Sequence, residues 1–136
     1  MDCVMIMPGE AAGDLLASAE PLSFWGGYDA RTGEIIDRRH SLAGQNAAGK
    51  ILAVPFTRGS STTTQVLLEA IRAGTAPAAI VSTEADTFLA LAAIVADEMY
   101  GAKLPLCVVS EADFAMLAAG SRARIAGGTI ELYPAK

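Results

Sequence analysis

Cysteine and histidine are scarce in this chain of 136 residues, which contains two cysteines and one histidine. Cys3 and Cys107 stand far apart in apolar, strand-like surroundings and form no Cys-x-x-Cys pair, so we expect two buried free thiols. Two cysteines and one histidine are too few to hold an iron–sulfur cluster, which usually takes a fuller set of thiolates. The chain is therefore not expected to bind such a cluster with its own residues.

Long hydrophobic runs and clusters of basic residues are also missing. The longest apolar run, residues 88–96, is about half as long as a membrane span requires. Residues 1–4 lack the basic region and apolar core of a secretory signal, so a cytosolic protein is expected. The net charge is −5, and the one basic cluster, residues 38–40, is too short for a nucleic-acid surface. Neither a membrane nor a nucleic acid is expected as a partner.

The composition that remains is that of a folded domain. Hydrophobic residues make up 52% of the chain, with alanine prominent, and no repeat, low-complexity segment or linker divides the sequence. We therefore expect a single domain over residues 1–136. It is large enough for a sizeable core but small for a self-contained enzyme.

Apolar runs and helical patterns alternate through the second half of the chain. Buried strands are predicted at residues 51–54, 78–81 and 106–109, and helices at residues 63–73, 86–100 and 111–118. Gly74, Gly101 and Gly120 stand where helices are expected to end, and Ser110 where the last helix is expected to begin. This alternation predicts a mixed α/β domain with a three-stranded parallel βαβα core.

Shorter apolar pieces surround this core. The first third of the chain is rich in turn signals and predicts short strands near residues 3–7, 15–17 and 34–36. Residues 122–125 and 129–132 flank Gly127 and Gly128, which is typical of a terminal hairpin. These pieces predict a second layer of short β strands packed against the core.

The turn after the first buried strand carries the clearest chemical signal. Arg58, Gly59, Ser60 and Ser61 separate that strand from the next helix. Backbone N–H groups and the helix dipole favour negative charge at such a position, so a carboxylate, a phosphate or an alkoxide could be stabilised there. The alternative is an ordinary N-capped turn whose serines satisfy the following helix.

A second candidate is the segment Trp25-Gly26-Gly27-Tyr28-Asp29. Glycines between an aromatic residue and an acid suit a loop that closes over a ligand or a partner surface. In the alternative, Trp25 fills the core and Asp29 caps the turn that follows it.

The one histidine has two possible roles. His40 could titrate near neutral pH or orient a substrate group, or it could make structural hydrogen bonds only.

The order of the motifs adds a more specific indication. The chain resembles the small subunit of the aconitase X family, which is equivalent to the swivel domain of aconitase-type hydro-lyases. The matching segments are residues 7–13, 21–29, 32–37, 40, 44, 49–50 and 58–61. The resemblance implies a β/β/α swivel domain over residues 1–136. It also implies a dehydratase whose iron–sulfur cluster is held by a large partner subunit and acts on the leaving hydroxyl.

The resemblance also suggests roles for particular residues. Ser60 matches the position of the family's serine base, although its neighbour Ser61 remains an alternative. Predicted substrate-binding residues, several of which would also stabilise the serine alkoxide, are Arg58, Gly59, Ser61, Thr62, Gly26, Gly27 and Asp29. No residue of this chain is predicted to bind a metal.

The family includes dehydratases of cis-3-hydroxy-L-proline and of phosphomevalonate. We expect the first substrate, because no further basic cluster stands beside Arg58 to hold a phosphate. The alternatives are a phosphomevalonate dehydratase small subunit and a non-catalytic, anion-binding or regulatory swivel domain. The sequence leaves the cluster type and the stoichiometry open.

Overall fold

The computed structural model describes residues 1–118 and 120–134, which form nine strands and three helices. The strands are β1 Val4–Met7, β2 Ala11–Ala17, β3 Leu22–Ser23, β4 Ile51–Ala53, β5 Thr57–Arg58, β6 Ala79–Ser82, β7 Leu106–Val108, β8 Gly120–Ala126 and β9 Thr129–Pro134. The helices are α1 Ser61–Ala73, α2 Thr87–Tyr100 and α3 Glu111–Leu117. None of these helices in the described part of the chain is long and apolar enough to cross a membrane.

Seven of the strands form one mixed sheet in the order β1-β7-β6-β4-β2-β8-β9. Strands β2, β4, β6 and β7 are parallel. The helices α1 and α2 carry the chain back between β4, β6 and β7, whereas a long connection that contains β3 joins β2 to β4. Strands β1, β8 and β9 join antiparallel to their neighbours. A two-stranded parallel sheet of β3 and β5 lies apart from this main sheet.

The main sheet curls until its two edges meet. A bridge joins Asp2 to Thr129, and the Cys3 N–H donates to the Gly128 carbonyl at 2.9 Å. The Ile130 N–H donates to the Met1 carbonyl at 2.8 Å. The curl creates an enclosed inner face, against which α3 packs, in addition to the outer face that α1 and α2 cover.

Alternate residues of the parallel strands supply two separate cores. In β4, Ile51 and Ala53 belong to the inner cluster, whereas Leu52 packs with the helices. This follows from the two-residue period of a strand, and it explains why these strands are continuous apolar runs. The inner cluster also contains Ala79, Val81, Cys107, Ile125 and Ile130, and the outer cluster contains Leu67, Ile80, Leu89, Ala93 and Leu106.

The predicted α/β class is confirmed, and the three predicted strands, the three helices and the terminal hairpin are present, with no end displaced by more than two residues. The parallel core has a fourth strand, β2, which the sequence predicted only as a short strand near residues 15–17 and not as part of that core. Its residues Leu15–Ala17 pair with β4, whereas Ala11–Asp14 pair with β8. One strand therefore links the two halves of the sheet.

Three details of the sequence prediction are wrong. Residues 34–36 form no strand, because Glu34 and Ile35 make only isolated bridges within a loop region. Gly120 begins β8 and does not end α3, whose last residue is Leu117. The second β layer is not a separate set of strands, because the terminal hairpin of β8 and β9 continues the same curled sheet through β2.

Both cysteines are free, as predicted, and Cys107 is buried whereas Cys3 is half-buried. Burial in the inner core raises the pKa of the Cys107 thiol from 9.0 to about 12. The folded state therefore keeps the thiol protonated at a pH at which the unfolded chain ionises it. This contribution to stability is complete below pH 9.0 and is lost as the pH rises toward about 12.

We expect the free energy of unfolding to fall by about 1 kcal/mol between pH 8 and pH 10 because of this thiol. Urea denaturation at several pH values measures the effect. In the variant Cys107→Ala, the decrease over that interval should be smaller by about this amount. An equally steep decrease in the variant would show that other groups cause it.

Candidate active site

The parallel pairing of β3 with β5 brings together the two candidate segments of the sequence. Leu22 lies opposite Thr57, and Ser23 lies opposite Arg58. Because parallel strands end at the same edge, the segment after Ser23 and the turn after Arg58 leave the sheet side by side. The two segments are about 30 residues apart in sequence, and only the family resemblance had grouped them as substrate-binding segments.

The turn between β5 and α1 depends on a glycine. Gly59 has a φ of +125°, a backbone conformation that residues other than glycine rarely adopt. A Cβ atom at this position would also lie 3.0 Å from the Thr63 hydroxyl oxygen. Gly59 therefore allows the chain to pass directly from Arg58 into the first turn of α1.

Ser60 is the N-cap residue of α1, yet its hydroxyl makes no capping hydrogen bond. The other two helices in the described residues are capped by side chains. Asp86 accepts from the Phe88 and Leu89 N–H groups, and Ser110 accepts from the Asp113 N–H. The interpretation of Ser60 as an ordinary helix cap therefore does not match this geometry, and its hydroxyl is exposed at the start of the helix.

The charge around Ser60 is also unbalanced. The first turn of α1 contains no acidic residue, whereas that of α3 contains Glu111 and Asp113. Arg58 is exposed and belongs to none of the ion pairs found within residues 1–118 and 120–134. A helix N-terminus beside an arginine creates a positive potential that favours an anion or an alkoxide.

The hydroxyl residues that follow differ in their surroundings. Ser61 is exposed and Thr62 is half-buried, whereas Thr63 and Thr64 are buried. The Thr64 hydroxyl donates to the Phe88 carbonyl at 2.9 Å and thus ties α1 to α2. Ser60 and Ser61 are therefore the two accessible serines of the turn, and the choice of Ser60 as the base remains a prediction.

The segment after β3 holds Trp25 outward. Its side chain is 64% exposed, so the alternative in which Trp25 fills the core is wrong. Phe24 occupies the core in its place, with its ring centroid 5.0 Å from that of Tyr28. A Cβ on Gly27 would lie 2.1 Å from the Ser23 carbonyl oxygen, so only glycine fits there.

Asp29 organises the turn that follows. Its carboxylate accepts from the Arg31 backbone N–H at 2.9 Å, and this bond holds the pKa of the carboxyl below its usual range. Its carbonyl accepts from the Thr32 and Gly33 N–H groups. These contacts match the structural alternative. The predicted substrate-binding roles of Asp29, Gly26 and Gly27 remain predictions.

His40 is buried and makes structural hydrogen bonds. Its Nδ1 accepts from the Leu42 N–H at 3.1 Å, and its Nε2 lies 3.2 Å from the Glu20 carbonyl oxygen. Because the Glu20 carbonyl can only accept, the proton belongs on Nε2 and the ring is neutral. This arrangement matches the structural role that the sequence left open.

Two supporting residues were missed by the sequence analysis. The Thr57 hydroxyl donates to Asp86 Oδ2, whereas Asp86 Oδ1 caps α2 by accepting from the Phe88 N–H at 3.0 Å. Asp86 thus connects the strand that ends in Arg58 to the start of a neighbouring helix. An aspartate before an apolar helix signals a cap, but its contact with Thr57 depends on tertiary structure.

The chain does not offer a set of ligands for an iron–sulfur cluster. Within the described residues, no three or more His, Cys, Asp or Glu side chains are grouped so that they could hold a metal ion. The two thiols lie in or against the inner core, where burial raises their pKa and so disfavours the thiolate that a metal requires. A cluster therefore does not fit the residues of this chain.

Comparison with known proteins identifies the class of domain that this fold and turn define. A family model described as the aconitase X swivel domain matches residues 1–132. The chain belongs to the aconitase X swivel-domain family, as its motifs indicated. Iron–sulfur dependence is general in that family.

Relatives occur both as fused domains and as separate subunits. A Pseudomonas aeruginosa protein named cis-3-hydroxy-L-proline dehydratase is 49% identical over 94% of this chain, which covers 22% of that protein. The chain thus spans about a fifth of the length of this relative. The phosphomevalonate dehydratase small subunit of Methanothermobacter thermautotrophicus is 42% identical over 71% of this chain and 73% of its own length.

A solved structure has the same fold. The holo-form of Thermococcus kodakaraensis aconitase X contains a chain that superposes with a TM-score of 0.83 at 30% identity. The match covers 97% of this chain and 96% of that chain. The swivel fold is therefore shared along nearly its whole length.

The absence of a side-chain cap on α1 can be tested by measuring the stability of serine variants. We expect Ser60→Ala to change the free energy of unfolding by less than about 0.5 kcal/mol, because no capping bond is lost. The matched variant Ser110→Ala removes a cap that accepts from Asp113 at 3.1 Å, and should cost about 1 kcal/mol. Urea denaturation of both variants measures the difference. Equal losses would show that Ser60 caps α1 in solution.

Proposed function

We propose that this chain is the small subunit of an iron–sulfur-dependent hydro-lyase and supplies the serine base for dehydration of a small hydroxy acid. The observation that carries the proposal is the uncapped Ser60 hydroxyl beside Arg58 at the N-terminus of α1. The preferred reaction converts cis-3-hydroxy-L-proline into 1-pyrroline-2-carboxylate and water. The 49% identity to the Pseudomonas aeruginosa dehydratase supports that choice.

Ser60 would accept the proton from the carbon beside the substrate carboxylate. A serine hydroxyl is a very weak acid, so it acts as a base only where its alkoxide is stabilised. The Arg58 guanidinium, the backbone N–H groups of Ser61 and Thr62 and the dipole of α1 are suited to stabilise it. Gly59 carries no side chain, so substrate can approach the backbone closely.

Substrate recognition would use the same turn. A planar guanidinium can hold a carboxylate through two parallel hydrogen bonds, which suits Arg58 to anchor the substrate acid group. The glycines Gly26 and Gly27 leave room at the neighbouring loop, and Asp29 fixes the shape of that loop through Arg31. The substrate carboxylate and the neighbouring carbon that loses its proton would thus both lie at one edge of the domain.

The rest of the site would come from a larger subunit that holds the cluster. Arg58, Gly59, Ser60 and Ser61 are all exposed, so the turn forms only one wall of a site. Relatives that carry the name small subunit imply a larger partner in those enzymes. The donor set of this chain does not suit a cluster, so the cluster would be bound by the partner.

A second candidate is the small subunit of a phosphomevalonate dehydratase. This chain covers 73% of the Methanothermobacter thermautotrophicus small subunit and is 42% identical to it. Assays of the reconstituted complex with both hydroxy acids distinguish the two candidates. A non-catalytic anion-binding domain makes a different prediction, because the isolated chain would then bind a hydroxy acid tightly in calorimetry.

Removal of the base should abolish turnover without affecting assembly. We expect Ser60→Ala to lower kcat by about 10²- to 10⁴-fold in the complex with the large subunit. Size-exclusion chromatography should show an unchanged complex, and the control Ser61→Ala should retain most of the activity because it keeps the backbone N–H. If Ser61→Ala is inactive and Ser60→Ala is active, the base is Ser61. Near wild-type activity in both variants contradicts a serine base.

Loss of the guanidinium should weaken substrate binding. We expect Arg58→Ala to lower kcat/KM by about 10- to 100-fold, as for a lost hydrogen bond to a charged group. Arg58→Lys should recover part of this loss, because it restores the charge but not the paired geometry. The control Arg72→Ala removes an exposed arginine from the opposite end of α1. Steady-state kinetics should show equal kcat/KM for that control and the wild type.

A further inference from the structure

Trp25 is the one tryptophan of the chain, and its side chain is exposed to an unusual degree. It is 64% exposed, compared with 47% for Tyr100 and 44% for Tyr133. A large aromatic side chain gains most from burial, so its exposure on the surface of a folded domain calls for an explanation. The hydrophobic core is filled without Trp25, because its neighbour Phe24 occupies the buried position.

The backbone that carries Trp25 is held firmly. The Trp25 carbonyl accepts from the Ser23 hydroxyl at 3.0 Å, and the Tyr28 hydroxyl donates to the Thr75 carbonyl at 2.7 Å. Gly27 packs so closely on Ser23 that no side chain fits between them. These contacts hold the backbone of the segment in a defined conformation. A segment whose backbone is held in this way loses little backbone conformational entropy when a partner covers it.

A second exposed apolar residue, Ile36, is hydrogen-bonded to the same segment. The Ile36 N–H donates to the Gly27 carbonyl at 2.9 Å, and the Ile36 side chain is 42% exposed. The Trp25–Ile36 patch, as we name these two residues, borders the turn of Arg58 through the pairing of Ser23 with Arg58. An apolar centre beside an exposed arginine has the composition of an interface hot spot.

We propose that the Trp25–Ile36 patch is the anchor by which this chain docks on the large, cluster-bearing subunit; this inference rests on the proposed function. Trp25 lies two residues after Ser23, and Ser23 pairs with Arg58 of the exposed turn, which forms only one wall of a site. A partner that completes the site must therefore pass beside Trp25. Docking there would also exclude water from the turn, and so strengthen the electrostatic effect of Arg58 on the alkoxide.

A single tryptophan permits a direct test of its burial. The chain is prepared with 5-fluorotryptophan, which gives one ¹⁹F resonance, and is titrated with its unlabelled large subunit in the absence of substrate. We expect the resonance to shift and to lose its sensitivity to solvent exchange between H₂O and D₂O. A resonance that is unchanged by the large subunit, or that moves only when hydroxy acid is added, overturns the docking proposal.

Binding affinities of variants provide the second readout. Calorimetry should show the Kd of Trp25→Ala for the large subunit raised by about 30-fold, as for a hot-spot tryptophan. Trp25→Phe should recover part of the affinity. The control Met99→Ala removes a side chain that is 68% exposed on α2, and should change the Kd by less than about 2-fold. Thermal unfolding should give the same Tm for all three variants and the wild type.

The outcomes separate this inference from the proposed function. If wild-type chain and Trp25→Ala bind the large subunit equally well, the docking proposal is overturned and the half-enzyme proposal stands. If the wild-type chain does not bind the large subunit at all, both proposals are overturned. If the complex forms through Trp25 but dehydrates no hydroxy acid, the docking proposal stands and the catalytic proposal is overturned.

Discussion

Two pairs of residues in a parallel sheet hold the candidate site together. Leu22 opposite Thr57 and Ser23 opposite Arg58 place the Trp25 loop beside the Ser60 turn. So short a sheet is weak by itself, and the protein reinforces it from both sides. The Leu22 N–H donates to the Phe56 carbonyl at 3.3 Å, and the Thr57 hydroxyl donates to Asp86. The geometry of the site thus depends on the packing of α2 as well as on its own turn.

The start of α1 is left without the stabilisation that the other helices have. Asp86 and Ser110 cap their helices with side chains, whereas the Ser60 hydroxyl makes no capping hydrogen bond. A cap contributes about 1 kcal/mol, so the omission has a cost in stability. It leaves positive potential at an exposed edge of the domain. Such a local departure from optimal stability is typical of a functional position.

The two faces of the main sheet differ in role: the inner face forms a closed core, and the outer face supports the helices next to the candidate site. The inner face is closed by the curl of the sheet and contains the thiol of Cys107, away from any site. The outer face packs against α1 and α2, whose N-termini lie near one another because Thr64 bonds to Phe88. Helices that follow parallel strands begin at one common edge, which is where α/β proteins generally place their ligands. The exposed turn of Ser60, at the start of α1, belongs to this edge.

The sequence by itself determined the elements and the chemical character of one turn. Apolar runs such as Ile51–Ala53 and the helix-ending Gly74 and Gly101 act locally, and the ordered motifs up to Ser61 indicated the family. Tertiary structure alone decided that β2 pairs on both sides, that Trp25 points to solvent and that Asp86 reaches Thr57. The reason is that strand pairing and side-chain burial depend on residues distant in the chain, whereas caps, turns and periodicity depend on neighbours.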